Sequence, residues 1–411
     1  MTEPVPLPSE PAALPAPAPA SAPKLRRRSW RRRLLALGVG LLLPLLLLEL
    51  GARLLWSRLA PPLPGADDPV MQVVDPLSRG EPLGRALRRE ALASPTAYLL
   101  AIPEGPRDMC LELGADHVPY LRPGARVDLR RADGVDGTWH VRVDQDGLRG
   151  PERGPPPEGA LRVLLLGDSM TFGSGVADED TYAARLEPLL AAALARPVRV
   201  GNGGIIAFGP QEELRRLEAL LPRLQPDLVV AQLTIANDPL DALRWLDEPG
   251  PLRPDPQAAR ALEDSLWLNN PLAWWSRAYR WAAWNVGRHA LRYRLMSEPA
   301  VLERTVALIE RMRALVAPRP FAVLLAPTVG QAQGHRADRL LDTEAINRGL
   351  SERLAARGIP CLDPLPRLRA GCQAGQVLYL PLDRHWSPLG HQAVAEELAP
   401  FLQGLLRDSP R

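Results

Sequence analysis

The chain has 411 residues, enough for one large domain or two modest ones. Its 50 Lys and Arg residues are set against 47 Asp and Glu residues, and the net charge of +3 gives no indication of a nucleic-acid partner. No Cys/His cluster has zinc spacing, and neither a phosphate-binding loop nor a dinucleotide fingerprint is present, so we expect no metal and no cofactor.

Residues 1–33 form a predicted cytoplasmic tail. The first 23 residues are mostly Pro, Ala, Ser and Glu, a composition typical of disorder, and seven cationic residues follow between Lys24 and Arg33. An apolar run begins at Leu34, and we predict a transmembrane signal anchor over residues 34–56. Because cationic segments stay in the cytoplasm, the rest of the chain is expected in the periplasm, tethered to the inner membrane by a single pass.

Two other interpretations of the apolar run also predict export. A cleaved signal peptide is one, although no Ala-x-Ala-like site follows the run closely. A twin-arginine signal is the other, since the stretch 29–35 resembles such a motif. Cysteine usage does not decide the matter: Cys361 and Cys372 could close a small disulfide loop and leave Cys110 over, or they could be buried thiols.

The next two segments lead into the main domain. Residues 57–97 are rich in Pro, Gly and charge and are predicted to be a stalk. In residues 98–159, turn pairs such as Asp133-Gly134 separate short alternating runs such as 139–143. This pattern predicts a small added β-sheet that is not a self-sufficient domain, followed by a Pro/Gly-rich linker.

Residues 160–411 alternate between strand and helix patterns. We predict strands at 162–166, 198–200, 228–233 and 321–326, a short run at 359–362, and helices at 181–194, 211–224, 301–316, 345–356 and 388–405. Ser387 is well placed to cap the last helix, with Pro388 at its first position. Alternating units of this length predict an α/β fold with a doubly wound parallel sheet.

A tryptophan-rich insertion, about 239–300, interrupts this alternation. A helix beginning after Asn270 would carry Trp274 and Trp281 on one face and arginines roughly opposite. Three interpretations are open: a helix packed on the domain by its aromatic side, a lid over the substrate cleft, or a helix lying in the membrane interface, where Trp and Arg are favoured.

The tripeptide Gly167-Asp168-Ser169 directly follows the first predicted strand of this domain. Open α/β sheets bind ligands at the edge where parallel strands end, so a serine on that turn is a candidate nucleophile. Serine needs a base, and His385 with Asp383 two positions earlier can supply it with an orienting carboxylate, because residues two apart in an extended segment project to the same side. His391 is a competing base, but we interpret it as a structural group.

Donors for an oxyanion can come from two neighbouring loops. The turn after the second strand, 201–209, is rich in glycine and offers backbone N–H groups, and Asn237 after the third strand offers a side-chain amide. In a 2-1-3 strand order, both loops flank the turn that carries Ser169.

These residues resemble the four motif blocks of the SGNH (GDSL-type) hydrolase superfamily over about 160–405. Gly167 to Gly173 match the first block, Asn202 to Gly209 the second, Asn237-Asp238 the third, and Asp383-x-His385 the last. The resemblance implies the superfamily's flavodoxin-like three-layer fold. It also implies Ser169 as nucleophile, His385 as base, Asp383 as its partner, and an oxyanion hole formed by Asn237 with the backbone at Ser169 and Ala207.

The chain departs from the superfamily pattern at two places. Ala207 stands where an oxyanion glycine is usual; it keeps the backbone N–H but loses freedom at φ. The final block reads Asp-x-His-Trp, which is similar to exported polysaccharide O-acetyltransferases resembling the alginate acetylation proteins. The β-rich lead-in, with Gly147 to Gly150 before the linker, resembles membrane-anchored bacterial members.

We therefore expect an exported, membrane-tethered serine esterase acting through an acyl-serine intermediate on a small acyl ester or an acylated cell-envelope glycan. One alternative is an O-acetyltransferase or deacetylase of cell-envelope polysaccharide. The other is a non-catalytic carbohydrate-binding module with the same fold.

Overall fold

The computed structural model describes residues 30–55, 111–113, 119–130, 138–242, 244–245, 253–254, 276, 278–279, 288–381 and 384–408. Most of the predicted tail, the stalk, Cys110, most of the tryptophan-rich insertion and Asp383 lie outside the described residues. The chain divides into two units, 1–52 and 53–411, and each is treated by itself.

The N-terminal unit contributes helix α1 (Trp30–Leu54), which includes most of the predicted anchor. Its 18-residue stretch Leu37–Leu54 is long and apolar enough to cross a membrane, and a signal sequence has the same properties. Both interpretations of the apolar run, anchor and signal, are compatible with this helix.

Short antiparallel strands precede the main domain. One pair joins β1 (Leu111–Leu113) to β2 (Pro119–Leu121), and a second pair joins β3 (Arg126–Arg130) to β4 (Thr138–Arg142). Apolar side chains of this lead-in, Leu121, Val141 and Val143, form a core cluster with Phe172, Ile205 and Phe208 of the main domain. The lead-in is therefore packed on the loops at one edge of the central sheet.

The centre of the main domain is a five-stranded sheet in which all pairings are parallel. In spatial order its strands are β11 (Cys361–Leu362), β10 (Phe321–Ala326), β7 (Leu228–Thr234), β5 (Leu161–Leu166) and β6 (Val198–Asn202). Numbered along the chain, this is the order 2-1-3-4-5, read from the β6 edge. Strand β7 is buried at all seven positions, as expected for a strand with helices on both faces.

Helices cover both faces, so the domain has three layers. One face carries α3 (Tyr182–Leu194), α11 (Leu365–Gln373) and α12 (Pro388–Asp408), and the other carries α4 (Pro210–Leu224), α7 (Pro299–Val316) and α10 (Glu344–Ala356). Alternate residues of each strand belong to opposite clusters: Val163 and Leu165 face the first group, whereas Leu164 and Leu166 face the second. The predicted three-layer, doubly wound α/β fold is confirmed.

Short elements complete the described part of the domain. They are α2 (Ser169–Phe172), a 3₁₀ turn (Asp178–Asp180), α5 (Asp238–Asp241), β8 (Arg244–Trp245), β9 (Arg253–Pro254), α6 (Arg288–Met296), α8 (Val329–Gln333) and α9 (Arg336–Leu340). Helices α8, α9 and α11 were not among the predicted elements, because five to nine residues hold too little periodicity to stand out. Cys361 and Cys372 are free thiols.

The outer edge of β6 is occupied by groups from other parts of the domain. The Arg149 N–H donates to the Asn202 carbonyl at 2.9 Å. The Arg153 guanidinium donates to the Val200 carbonyl at 2.8 Å, and the Val200 N–H donates to the Glu187 carboxylate at 2.7 Å. The lead-in and α3 thus satisfy backbone groups that an edge strand would otherwise leave open.

Candidate active site

Ser169 is the first residue of the one-turn helix α2, just beyond the end of β5. Asp168 caps this helix, because its Oδ1 accepts a 2.9 Å hydrogen bond from the Met170 N–H. Gly167 is needed at the sharp change of direction, since a Cβ there would collide with the Thr171 hydroxyl. The turn presents the serine at the carboxyl edge of the sheet, where the sequence predicts it.

His385 lies next to Ser169, although 216 residues separate them in sequence. The His385 Nε2 is 2.7 Å from the Ser169 Oγ, and both residues are half-buried. A short hairpin holds the histidine: the Leu380 N–H donates to the His385 carbonyl at 2.8 Å, and the Ser387 N–H donates to the Leu378 carbonyl at 3.0 Å. This contact has the distance required of a base that accepts a serine proton.

Asp383, the predicted partner of His385, lies outside the described residues. Arg384, between the two, has a φ of 66°, which is left-handed and not extended backbone. The extended geometry predicted for this segment is therefore wrong at Arg384, where the chain turns. The argument that residues two apart share one side does not apply across such a turn.

His391, the competing histidine, is buried in the core. Its Nδ1 accepts a 3.1 Å hydrogen bond from the Tyr182 N–H, and its ring lies parallel to the Tyr182 ring and edge-on to Trp386. Burial, and then the nearby cationic Arg149, lowers the pKa of His391 to about 3. The imidazole is therefore neutral at physiological pH, and its contacts are those of a structural group.

The loop after β6 packs directly on the nucleophile turn. The Ile205 N–H donates to the Gly167 carbonyl at 3.0 Å, and a Cβ at Gly204 would lie 2.8 Å from the Thr171 Cβ. Ala207, in this loop, has a φ of 65°. Such left-handed backbone costs an L-residue about 1–2 kcal/mol, so alanine occupies a position that glycine would fill without strain.

The three predicted oxyanion donors differ in their hydrogen bonds. Among the described residues, none accepts a hydrogen bond from the N–H of Ser169 or of Ala207. The Asn237 Nδ2, in contrast, lies 3.0 Å from Asp238 Oδ1, 3.2 Å from Asp241 Oδ2 and 3.3 Å from Asp168 Oδ2. Its two hydrogens are therefore shared among three carboxylates.

These carboxylates belong to a buried acid cluster, which we define as Asp168, Glu212, Glu213, Asp238 and Asp241. Burial raises the pKa of Asp168, and burial with neighbouring carboxylates raises the pKa of Glu213 and of Asp238 well above the ordinary range. Neither oxygen of Glu213 has a hydrogen-bond partner among the described residues. Within those residues, no group of three or more His, Cys, Asp or Glu side chains is arranged to hold a metal ion.

A chain of buried hydrogen bonds leads to Asp168 and was not predicted from the sequence. The Tyr182 hydroxyl contacts the Thr171 hydroxyl at 2.9 Å, and the Thr171 hydroxyl donates to Gln232 Oε1 at 2.9 Å. The Gln232 amide donates to Thr234 Oγ1 at 2.8 Å, and this hydroxyl donates to Asp168 Oδ1 at 3.0 Å. One feature of the sequence could have indicated this chain of hydrogen bonds, namely Gln232, a single amide side chain within the apolar run of β7.

A cavity of about 460 Å³ opens beside the nucleophile turn. Its lining includes Met170 and Asn237, next to the carboxyl ends of β7 and β10. Arg292, Tyr293 and Arg384 add two guanidinium groups and a hydroxyl to the wall. The cavity has the position in which open α/β sheets bind ligands.

A serine hydroxyl in contact with an imidazole at the carboxyl edge of a three-layer α/β sheet is typical of serine-dependent hydrolases. The sequence model of the GDSL-like lipase/acylhydrolase family matches residues 165–393, more than half of the chain. The chain belongs to this family, which confirms the resemblance drawn from the motif blocks, and it is an ester-bond hydrolase.

Solved structures similar to this chain include a protein of the G-D-S-L family and two esterases. A lipolytic G-D-S-L protein of Veillonella parvula is 14% identical over 59% of this chain and 97% of its own, with a TM-score of 0.35. An acetyl xylan esterase of Geobacillus stearothermophilus is 16% identical over 60% and 96%, with a TM-score of 0.37. A two-domain esterase active on acetylated mannans is 19% identical over 61% and 51%, with a TM-score of 0.36. No curated protein sequence matches the chain significantly.

The backbone at Ala207 generates a first prediction. Ala207→Gly should keep the turnover number, because the backbone N–H remains, and should not lower the free energy of unfolding, because glycine relieves the left-handed strain. Ala219→Gly, at an exposed position inside α4, is the control and should lose about 0.5–1 kcal/mol. Urea unfolding of both variants measures this difference. Equal losses would mean that Ala207 carries no strain.

The acid cluster generates a second prediction. The folded-state pKa of Glu213 is raised, so above the ordinary glutamate pKa the unfolded chain ionises first and the folded state loses stability. Glu213→Gln should therefore raise the free energy of unfolding at neutral and alkaline pH, by about 0.5–2 kcal/mol, and the gain should disappear below about pH 4. Glu218→Gln, exposed on the same helix, should show no such pH-dependent gain. A variant less stable than the wild type at pH 8 would contradict this account.

Proposed function

We propose that the protein is an exported, membrane-tethered serine esterase that forms an acyl-enzyme at Ser169. The observation that carries the proposal is the 2.7 Å contact between Ser169 Oγ and His385 Nε2. The neighbours of these two residues in the chain, Met170 and Arg384, line the cavity. A non-catalytic binding module, the second alternative, would have no need of this contact. Family membership supplies the reaction class, and the residue roles are our assignment.

In the proposed reaction, the Ser169 oxygen attacks the ester carbonyl while His385 Nε2 accepts its proton. The tetrahedral intermediate collapses as His385 returns the proton to the leaving alcohol, and the acyl group remains on Ser169. Water then attacks the acyl carbonyl while His385 accepts one of its protons. The second tetrahedral intermediate collapses as His385 returns that proton to Ser169 Oγ, which breaks the acyl–serine bond and releases the acid. Asp383 would hold the imidazole in the tautomer that these proton transfers require.

The negative charge that develops on the carbonyl oxygen needs preorganised donors. The N–H groups of Ser169 and Ala207 suit this role, since no described residue accepts from them. For Asn237 to donate as well, its amide must share or release a carboxylate, and the 3.3 Å contact with Asp168 is the longest of the three. Protons held by the acid cluster would reduce repulsion between these carboxylates and the oxyanion.

The proposed substrate is a small acyl ester or an acylated cell-envelope glycan. A cavity of about 460 Å³ accommodates a short acyl group together with part of a sugar ring. The guanidinium groups of Arg292 and Arg384 and the Tyr293 hydroxyl suit an alcohol portion that carries several oxygens.

The alternative of O-acetyl transfer to polysaccharide differs only in whether a sugar hydroxyl or water resolves the acyl-enzyme. It was drawn from the Asp-x-His-Trp block. Trp386 of that block is fully buried and packs edge-on against Tyr182 and His391, so it offers no surface to an acceptor sugar. The packing of this tryptophan leaves hydrolysis as the better-supported reaction.

The proposed tether is the apolar part of α1. Seven cationic residues precede the run, against Arg53 and Arg58 beyond it, and this asymmetry favours a cytoplasmic N-terminus. The catalytic domain would then act in the periplasm, where cell-envelope glycans are accessible.

The third prediction concerns catalysis. Ser169→Ala should abolish hydrolysis of 4-nitrophenyl acetate, and His385→Ala should reduce turnover by about 10³-fold or more. His391→Ala, the matched control, should lower thermal stability but keep most of the turnover when assayed while folded. The greater loss in His391→Ala would mean that the wrong histidine is assigned.

The products of the same assay test the alternative reaction. Wild-type enzyme is incubated with an acetyl ester and candidate glycans, and free acetate and acetylated glycan are compared by mass spectrometry. Hydrolysis predicts mainly acetate. An excess of acetylated sugar, absent from Ser169→Ala, would establish transfer instead.

The fourth prediction concerns topology. A C-terminal reporter enzyme that works only after export should be active, and the full-length protein should remain in the membrane fraction after a high-salt wash. Replacing the six arginines between residues 26 and 33 with glutamine should reduce the reporter signal, because the orientation signal is lost. A soluble product whose N-terminus begins after residue 50 would show that the run is a cleaved signal.

A further inference from the structure

Arg149 lies in the lead-in, outside the stretch that matches the family, yet its guanidinium reaches beneath the nucleophile turn. The side chain is fully buried, and burial lowers its pKa to about 10, so it remains cationic at neutral pH. Its charge is balanced by Asp178, whose Oδ1 lies 3.0 Å from Arg149 Nε. Burying a guanidinium this far from solvent costs free energy, which its ion pair and hydrogen bonds must offset.

The remaining donors of Arg149 are directed at the backbone that follows Ser169. The guanidinium donates to the carbonyl of Phe172, to that of Gly173 at 2.6 Å and to that of Val176 at 2.6 Å. Its carbon atom also lies 4.6 Å from the centre of the Phe172 ring and 5.3 Å from that of Trp139, within the range of cation–π attraction. One side chain therefore contacts the end of α2 and the loop that leaves it.

Helix α2 needs such a contact because it has only four residues. Its last carbonyls have no following helical turn to accept from, and an isolated single turn has little stability of its own. Ser169 lies at the other end of the same turn. A displacement of the Phe172 and Gly173 carbonyls would therefore be transmitted directly to the serine hydroxyl.

We propose that Arg149 is a positioning residue for the nucleophile: by binding the carbonyls at the end of α2, its guanidinium sets the placement of Ser169 relative to His385. The inference rests on the proposed function, since it assigns Arg149 a part in that reaction. It also makes the lead-in a component of the catalytic apparatus. Arg149 does not line the cavity, so it acts on the reacting groups and not on substrate binding.

Arg142 provides a matched control within the same hairpin. It also pairs with Asp178, through Nε and Oδ2 at 2.8 Å, but its side chain is 42% exposed and makes no described contact with the carbonyls of Phe172, Gly173 or Val176. Arg142→Gln thus removes a cation from Asp178 and leaves α2 untouched. Arg149→Met removes the carbonyl contacts and keeps apolar volume against the two aromatic rings.

The test measures kcat and KM for 4-nitrophenyl acetate on full-length protein, well below the melting temperature of each variant. Because a misplacement of about 1 Å can cost about 10²-fold, Arg149→Met should lower kcat by about that factor with KM within about two-fold of wild type. The kcat of Arg149→Lys should lie between those of the wild type and Arg149→Met, since one ammonium group replaces the planar guanidinium. Arg142→Gln should keep the wild-type kcat.

A second measurement does not depend on turnover. Amide hydrogen exchange at Phe172 and Gly173, whose N–H groups donate to the carbonyls of Asp168 and Ser169 at 2.8 and 2.9 Å, reports on the integrity of α2. Exchange at these sites should accelerate in Arg149→Met and in Arg149→Lys, but not in Arg142→Gln. If the wild type hydrolyses no ester, the proposed function fails, while this comparison still tests the action of Arg149 on α2.

Several results would overturn the proposal. If Arg149→Met folds and keeps the wild-type kcat, Arg149 only stabilises the fold. If Arg142→Gln loses as much kcat as Arg149→Met, the effect comes from the ion pair with Asp178. If Arg149→Met does not fold, Arg149→Lys decides: unchanged kcat and unchanged exchange at Phe172 would refute the positioning role.

Discussion

Four residues make only one turn of helix, and α2 closes too few hydrogen bonds of its own to fix the position of Ser169, so neighbouring segments must fix it. Asp168 caps the start of the turn, and the Asn202 amide donates to the Thr171 carbonyl at 2.8 Å. Close packing of Gly204 limits movement from a further side. Strand β5, the loop after β6 and the lead-in therefore all contact this one turn.

The histidine side of the contact is restrained in a comparable way by different means. The hairpin that carries His385 is anchored by the Tyr379 hydroxyl, which donates to the Pro327 carbonyl at 2.9 Å after β10. Trp386 and His391 fill the core behind it, and the Ser387 hydroxyl accepts from the Gly390 N–H at the start of α12. Both partners of the 2.7 Å contact are held by backbone and core, so the proton transfer of the proposed reaction would need little reorganisation.

The acid cluster shows a local conflict between stability and site geometry. Five buried carboxyl groups, three of which share the Asn237 amide and one of which, Glu213, has no hydrogen-bond partner among the described residues, cannot all be ionised at low cost. Such conflicts are common where function constrains a site, because stability is then held elsewhere in the fold. Here the two large apolar clusters on either side of the sheet supply that stability.

The sequence was sufficient for the fold and for the residues at the ends of strands, because apolar runs and turn residues are local signals. The position of Ser169 could be predicted from the strand and glycine beside it, and that of His385 from its spacing with Asp383 and from the resemblance of its motif. The acid cluster could not be predicted, since Glu213 comes from α4 and Asp168 from the turn after β5, and only folding brings them together. The left-handed backbone at Arg384 was likewise hidden, because arginine gives no sign of a turn.

The covered edge of β6 has a consequence for the behaviour of the protein in solution. An exposed edge of a parallel sheet is a template on which a second chain can add a strand, and such pairing leads to aggregation. Side chains from within the molecule already bind the backbone of Val200. A β-bridge between Arg149 and Asn202 occupies the place where a strand of a second chain would pair. The same lead-in therefore protects the β6 edge of the sheet against pairing with a second molecule.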